Sequence, residues 1–211
     1  MIPTKICGIT TQDDALFATD LGAVAIGFIF YPASPRYITP IQAGTIIENL
    51  GERARKVGVF VNTPPEEINR IVAETGLDMV QLSGNEPPES CQQVTVPVIK
   101  ALHIGSNFDI GMVEQFDVTA FLLDTYQPDR YGGTGTTFNW SQVGSEIFPR
   151  PIILSGGLTL ENVMEGVKAL HPAAVDFNSG IELRSGVKDR GKMEHLFAVL
   201  RKIEVPDEQV F

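Results

Sequence analysis

A short apolar run, a polar turn and an amphipathic stretch recur from one end of the chain to the other. This alternation limits the possible folds more than any other feature of the sequence. The runs are Thr4–Cys7, Val24–Phe30, Lys56–Val61, Met79–Leu82, Val96–Lys100, Ala120–Leu123, Ile152–Leu154 and Ala174–Phe177. Each is mostly apolar with β-branched content, the pattern of strands buried on both faces, as in parallel sheets. The stretches between them open with helix-start chemistry. Thr10-Thr11-Gln12-Asp13 precedes Ala15–Leu21, and Thr63-Pro64-Pro65-Glu66 precedes Ile68–Thr75. Thr159-Leu160-Glu161 leads to a stretch ending at Leu170, and Lys188-Asp189 to one ending at Leu200. Hydroxyl or carboxylate caps followed by acidic first turns satisfy the free N–H groups of a helix start. The fifth unit, Ser106–Phe116, has Gly105 before it and Gly111 within it, and is expected to be irregular.

Eight strand–helix units in 211 residues predict an α/β fold, a single-domain (β/α)8 TIM barrel over 1–211. Residues 204–211 are expected to form a loosely ordered tail. The competing architecture is an open doubly wound sheet, whose glycine-rich turn follows the first strand. Here the first turn is Cys7-Gly8-Ile9-Thr10, and the glycines gather after late strands.

Charge and composition narrow the partners. A formal net charge of −10 disfavours nucleic acid and anionic membrane surfaces, both of which reward basic proteins. The longest apolar run, Val24–Tyr31, falls far short of the roughly 20 residues that span a bilayer. The first residues, Met1–Ile6, carry no basic segment followed by an apolar one, so no secretory signal is expected. Two cysteines, Cys7 and Cys91, fit a reducing cytoplasm, and the three histidines form no ligand cluster, so no metal is expected. An anion can still be bound by local devices such as backbone N–H groups or single Arg residues.

Barrel enzymes build their sites on the loops after the strands. Strand seven ends in Ser155-Gly156-Gly157-Leu158, and strand eight in Asn178-Ser179-Gly180-Ile181-Glu182. Glycine turns after late barrel strands bring backbone N–H groups close to an anion, which points to phosphate. Strand six ends in Leu122-Leu123-Asp124-Thr125, and Gly132-Gly133-Thr134-Gly135 follows as a lid or a third phosphate contact. Asp124 is either a rim carboxylate for proton transfer or the cap of the next turn. With period two, Lys5 and Cys7 share one face of strand one. If that face is the interior, the cation favours a thiolate; otherwise Cys7 is a small buried apolar residue. Cys91, in an expected helix Pro87–Val94, reads as the latter. After strand two, Ser34-Pro35-Arg36-Tyr37 delivers Arg36 to the rim, where it either clamps a substrate carboxylate or pairs with a surface acid.

In order along the chain, Lys5-Ile6-Cys7-Gly8-Ile9-Thr10, Gly27-Phe28-Ile29-Phe30, Ser34-Pro35-Arg36-Tyr37 and Val57–Asn62 resemble phosphoribosylanthranilate isomerases. The resemblance continues through Val80-Gln81-Leu82, Leu122–Thr125, Gly132–Gly135, Ser155–Leu158 and Ser179-Gly180, and extends from Lys5 to about Phe197. It implies the Amadori rearrangement of N-(5-phosphoribosyl)anthranilate in tryptophan biosynthesis, without metal or organic cofactor, by a cytoplasmic monomer or homodimer. Carried over by motif position, Cys7 is the general base and Asp124 the general acid. Arg36 faces the anthranilate carboxylate across the barrel mouth from the phosphate loops. Those loops are Gly156-Gly157 and Asn178-Ser179-Gly180, and Gln81 and Gly135 complete the substrate-binding set. The chain departs from the family pattern at Ser83, Asn85 and Phe177-Asn178, where histidine, an acid and Val-Ser are usual. Related isomerases acting on the histidine-pathway aminoaldose carry a carboxylate at the end of strand one, where this chain has Cys7. A barrel that binds a phosphometabolite without turning it over is the reading from outside enzymology.

Overall fold

The computed structural model describes residues 1–105, 108, 110–125, 140, 148–203 and 210–211. Eight parallel strands close into a barrel in chain order. They are β1 (Thr4–Ile6), β2 (Ala25–Ile29), β3 (Arg55–Phe60), β4 (Met79–Leu82), β5 (Val98–Ile104), β6 (Ala120–Thr125), β7 (Ile152–Leu154) and β8 (Ala174–Phe177). The seam is the parallel pairing of β8 with β1, in the register Thr4↔Val175, Lys5↔Asp176 and Ile6↔Phe177. Helices α1 (Gln12–Leu21), α2 (Pro40–Leu50), α3 (Pro65–Thr75), α4 (Pro88–Gln92), α5 (Val163–Leu170) and α6 (Arg190–Leu200) lie between the strands or follow them. A short hairpin, β9 (Glu182–Arg184) and β10 (Val187–Lys188), follows β8. Among the described residues, no helix is long and apolar enough to cross a membrane.

The expected strands are all present, and two of them run further toward the rim than expected. β5 runs on to Ile104, and β6 to Thr125, because Ala101–Ile104 pair residue for residue with Leu122–Thr125. The polar His103 and Asp124 hide this extension from an apolar-run reading, yet backbone pairing does not require apolar side chains. The fifth unit is irregular as expected: its described helical part is a 3₁₀ segment, Ile110–Gln115. Of the expected helix starts, Thr11 and Asp189 do cap, accepting from the N–H groups of Asp14 and Lys192. Thr63 does not; Pro64 is the cap residue and α3 starts at Pro65, whose fixed φ and missing N–H suit the first helical position. α5 begins only at Val163, because Asn162 ties the preceding turn, accepting from Thr159 N–H and donating to the Gly157 carbonyl.

Side-chain alternation splits the core in two. Ala25, Val57, Ile99, Ala120, Leu122 and Ile153 fill the barrel interior. Phe28, Phe60, Phe121 and Phe177, on the opposite parity, join the cluster that packs the strands against the helices. Residues 204–209 of the expected tail lie outside the described residues, but Val210 is buried and joins the interior cluster. Phe28 has no exposed surface. Phe28→Ala should destabilise the fold by about 3–5 kcal/mol, measured as a lower urea midpoint. A loss within about 1 kcal/mol would contradict tight packing there.

Candidate active site

The interior parity that gives a small-residue core lower down puts polar groups at the C-terminal ends of the strands. Lys5 lies inside, fully buried, with Nζ 2.9 Å from Oδ1 of Asp176 on β8. Cys7 follows two residues on, above Lys5 and facing the same way. A Cβ on Gly27 would lie 2.8 Å from Cys7 Sγ and 3.2 Å from Lys5 Cε, so both side chains press on that glycine. Asp124 ends β6 on the same interior parity as Leu122. Its Oδ1 accepts from Thr125 N–H at 2.8 Å.

Cys7, Asp124 and Asp176, but not Lys5, line one cavity of about 460 Å³ at the mouth. Cys7, Asp124, Arg36, Gln81, Gly156, Gly157, Asn178, Ser179 and Gly180 all border it, together with Ser83, Ser155 and Asp176. Gly135 and the Gly132–Gly135 loop lie outside the described residues.

The glycine turn after β7 is required by space as well as by conformation. Gly156 has φ +77°, and a Cβ there would lie 2.6 Å from Thr125 N and 2.9 Å from Asp124 Oδ1. A side chain at this position would displace Asp124. After β8, Ser179–Ile181 form a 3₁₀ turn, and Gly180 packs against the Leu158 carbonyl of the neighbouring loop. Asn178 Oδ1 accepts from Lys188 Nζ at 3.1 Å, which leaves the amide nitrogen as that side chain's donor.

Arg36 departs from expectation in two respects. It is buried and forked onto Glu182, with Nε 2.9 Å from Oε1 and Nη2 2.8 Å from Oε2. Nη1 is without a partner among the described residues. Nor does Arg36 face the glycine turns after β7 and β8 from across the mouth. A Cβ on Gly8 would lie 2.8 Å from Arg36 Cδ and 2.6 Å from Asn178 Oδ1, so Arg36 and Asn178 flank the same glycine. Gly8, with φ +69°, admits both. Asp124, Gly156-Gly157, Asn178–Gly180, Cys7 and Arg36 therefore stand on or after five consecutive strands, β6-β7-β8-β1-β2. They form an arc along one side of the mouth.

The opposite wall carries Gln81, whose Nε2 donates to Ser83 Oγ at 3.0 Å, while its buried Oε1 has no partner among the described residues. The fourth loop is held from below by Glu86. Its carboxylate accepts from Asn62 and Gly84 N–H groups and pairs with Lys100 at 2.8 Å. Asn85 donates its backbone N–H to Asn62 Oδ1.

Electrostatics separate the titratable groups. Burial pushes Asp124 above the usual carboxylate range, against the opposing charge of His103 and the Thr125 N–H bond. Burial also pushes the Cys7 thiol up, although Lys5 and Lys188 both favour the thiolate. This corrects the expectation that Lys5 would win: its charge is matched by Asp176 at 2.9 Å, so desolvation of the thiol dominates. Lys5 itself is desolvated, but Asp176 and Cys7 offset that and hold it above its ordinary value. Cys91 is also buried, with a thiol pushed up to about 11 by burial, as suits an inert residue. Among the described residues, no three His, Cys, Asp or Glu side chains gather as metal ligands.

Asp176, Glu182 and Lys188 were not singled out from the sequence. Asp176 had a signal, being a charged residue inside an apolar strand on the parity that faces Lys5. Glu182 and Lys188 meet only through the hairpin after β8, with Nζ 3.0 Å from Oε1, and no spacing announces that contact.

A closed barrel with a thiol, carboxylates and glycine turns around one mouth cavity defines a (β/α)8-barrel enzyme. A model of the N-(5'-phosphoribosyl)anthranilate (PRA) isomerase family matches residues 4–199, and the chain belongs to that family of isomerases. The N-(5'-phosphoribosyl)anthranilate isomerase of Geobacter sulfurreducens is 45% identical over 193 residues, 92% of this chain and 95% of that protein. The crystal structure of phosphoribosyl anthranilate isomerase from Thermus thermophilus superposes with a TM-score of 0.87 at 40% identity, covering 95% of this chain and 99% of the other. A phosphoribosyl anthranilate isomerase in complex with reduced 1-(o-carboxyphenylamino)-1-deoxyribulose 5-phosphate superposes with a TM-score of 0.84. It is 37% identical and covers 96% of this chain and 100% of its own.

Burial alone would raise Glu182, but hydrogen bonds from Arg36 and the charge of Lys188 outweigh it and hold the carboxyl below its ordinary 4.5. A depressed carboxyl adds stability above the unfolded-state pKa and loses it as pH falls through the folded one. Glu182→Gln should therefore cost about 1.5–3 kcal/mol near neutrality, with the gap from the parent narrowing below pH 4.5. Urea midpoints across pH check this; a gap independent of pH would contradict the ion-pair account.

Proposed function

We propose that the chain converts N-(5-phosphoribosyl)anthranilate to 1-(2-carboxyphenylamino)-1-deoxyribulose 5-phosphate, a step of tryptophan biosynthesis, with Cys7 as general base and Asp124 as general acid. The observation that carries this reading is that one cavity gathers both groups, the two glycine turns and Arg36. The phosphate lies on the backbone N–H groups after β7 and β8, and the anthranilate carboxylate on Arg36, whose geometry Glu182 fixes. Because these anchors follow one another along the arc, the sugar lies over Cys7 and within reach of Asp124. The Gln81 Oε1, buried and unpartnered among the described residues, accepts a hydroxyl or N–H of the substrate from the opposite wall.

In the first step, the Asp124 carboxylic acid gives its proton to the ribose ring oxygen as the C1–O bond breaks, leaving a protonated Schiff base. The Cys7 thiolate then takes the proton from C2, and that electron pair moves through C1 to nitrogen to give the enolamine. Ketonisation of the enolamine returns a proton to C1 and completes the exchange. Each proton transfer by a positioned group contributes about 10²- to 10⁴-fold.

The working pair, thiolate with carboxylic acid, is a proton tautomer of thiol with carboxylate. Only the difference between the two proton affinities sets its share. Burial raises both groups, so the effects partly cancel; Lys5 and Lys188 favour the thiolate, while His103 and Lys5 favour the carboxylate. A catalytic thiol also favours a reducing compartment, which supports a cytoplasmic location.

Cys7→Ser and Asp124→Asn should each lower turnover on the anthranilate substrate by at least about a hundredfold, with circular dichroism unchanged. Near-parent turnover in either folded variant would overturn the assignment. Binding of substrate by the parent with no turnover would favour a silent barrel.

A further inference from the structure

His103 takes no part in the scheme above, yet it is the nearest titratable neighbour of its acid along the sheet. We propose that His103 is a positioning residue, whose imidazole governs the charge of the Asp124 carboxyl across the β5–β6 pairing. The inference rests on reading Asp124 as the general acid, and goes beyond it.

The geometry is set by the backbone. His103 and Asp124 are register partners on adjacent parallel strands, which run roughly 4.8 Å apart. Ile99 and Ala101 point into the barrel with Leu122, and the same alternation carries His103 and Asp124 to the interior side of the mouth. The ring is fixed: Nε2 lies 3.0 Å from the Ser83 carbonyl oxygen. A carbonyl only accepts, so Nε2 carries a hydrogen and any proton gained is taken at Nδ1, which is buried. Ser83 is itself a fixed point, through its hydroxyl bond from Gln81 and the Glu86 clamp on Gly84.

The other charged groups acting on Asp124 differ in kind. Lys5 on β1 and Asp176 on β8 are an ion pair at 2.9 Å whose effects on Asp124 oppose each other. Cys7 shares the cavity, and the Thr125 N–H is a constant dipole. Among the described residues, that leaves the His103 imidazole as the neighbour that can gain or lose a proton, at Nδ1, beside the carboxyl. A charged ring stabilises the Asp124 carboxylate, and a neutral ring releases it to hold its proton. His103 thus biases the balance between the working proton tautomer and the idle one.

Carboxyl ¹³C titration of Asp124 in the free protein, in parent, His103→Gln and His103→Asn, tests this directly. Gln keeps a donor near Ser83 and Asn is shorter, so together they separate charge from anchoring. Both neutral substitutions should raise the Asp124 midpoint by about one pH unit. The limb of the kcat/KM–pH profile governed by Asp124 should move with it. In the parent, the Asp124 signal should carry a second inflection from its coupling to the imidazole, a readout that needs no variant to fold. An Asp124 midpoint unmoved in the folded variants, or a parent curve with no such inflection, overturns the proposal. So does loss of activity with the titration unchanged, the signature of a merely structural histidine. Failure of the acid assignment is seen separately, as full turnover in Asp124→Asn.

Discussion

The pairing of β8 with β1, and the buried Lys5–Asp176 ion pair that lies across it, organise the rest of the molecule. Two fully desolvated charges are tolerated only when each finds the other in good geometry. A slip of one residue along this seam would turn every interior side chain of β8 outward and strand both charges. The register that satisfies the pair also stacks Cys7 above Lys5 and brings Asn178 beside Gly8. It places the turn after β8 next to the turn after β7. Closure of the barrel and assembly of the cavity are thus one event.

The same seam gives the site its shape. Arg36 follows β2 but is drawn back over Gly8 by Glu182, which belongs to the segment after β8. Lys188 binds that carboxylate and the Asn178 side chain together. The groups proposed for phosphate and for carboxylate are therefore linked through one buried network, not held independently on opposite walls. Its ionic groups have little hydration to fall back on, so the loss of any member leaves a largely buried charge without its partner.

The strand order and the barrel could be read from the sequence because doubly buried parallel strands leave an unmistakable apolar rhythm. Asp124 and Cys7 were visible for the same reason, standing at or near the ends of such runs. The outer ends of β5 and β6 were not, since His103 and Asp124 interrupt apolarity without interrupting backbone pairing. The state of the Cys7 thiol was also misjudged. Lys5 is adjacent in sequence, while Asp176, which cancels it, lies at the far end of the chain and meets it only on closure. Glu182 and Lys188 were hidden in the same way, because a contact made by a hairpin after the last strand has no sequence period.

The central claim is that phosphate turns, base, acid and arginine act on one substrate along a single arc. A crystal structure of this chain with reduced 1-(o-carboxyphenylamino)-1-deoxyribulose 5-phosphate measures that most directly. The account predicts the phosphate on the N–H groups around Gly156-Gly157 and Ser179-Gly180, and the carboxylate on Arg36. Cys7 Sγ and an Asp124 oxygen should both face the sugar carbons, the acid within hydrogen-bonding reach. A ligand bound in the opposite sense, or with its sugar beyond reach of either Cys7 or Asp124, would contradict it.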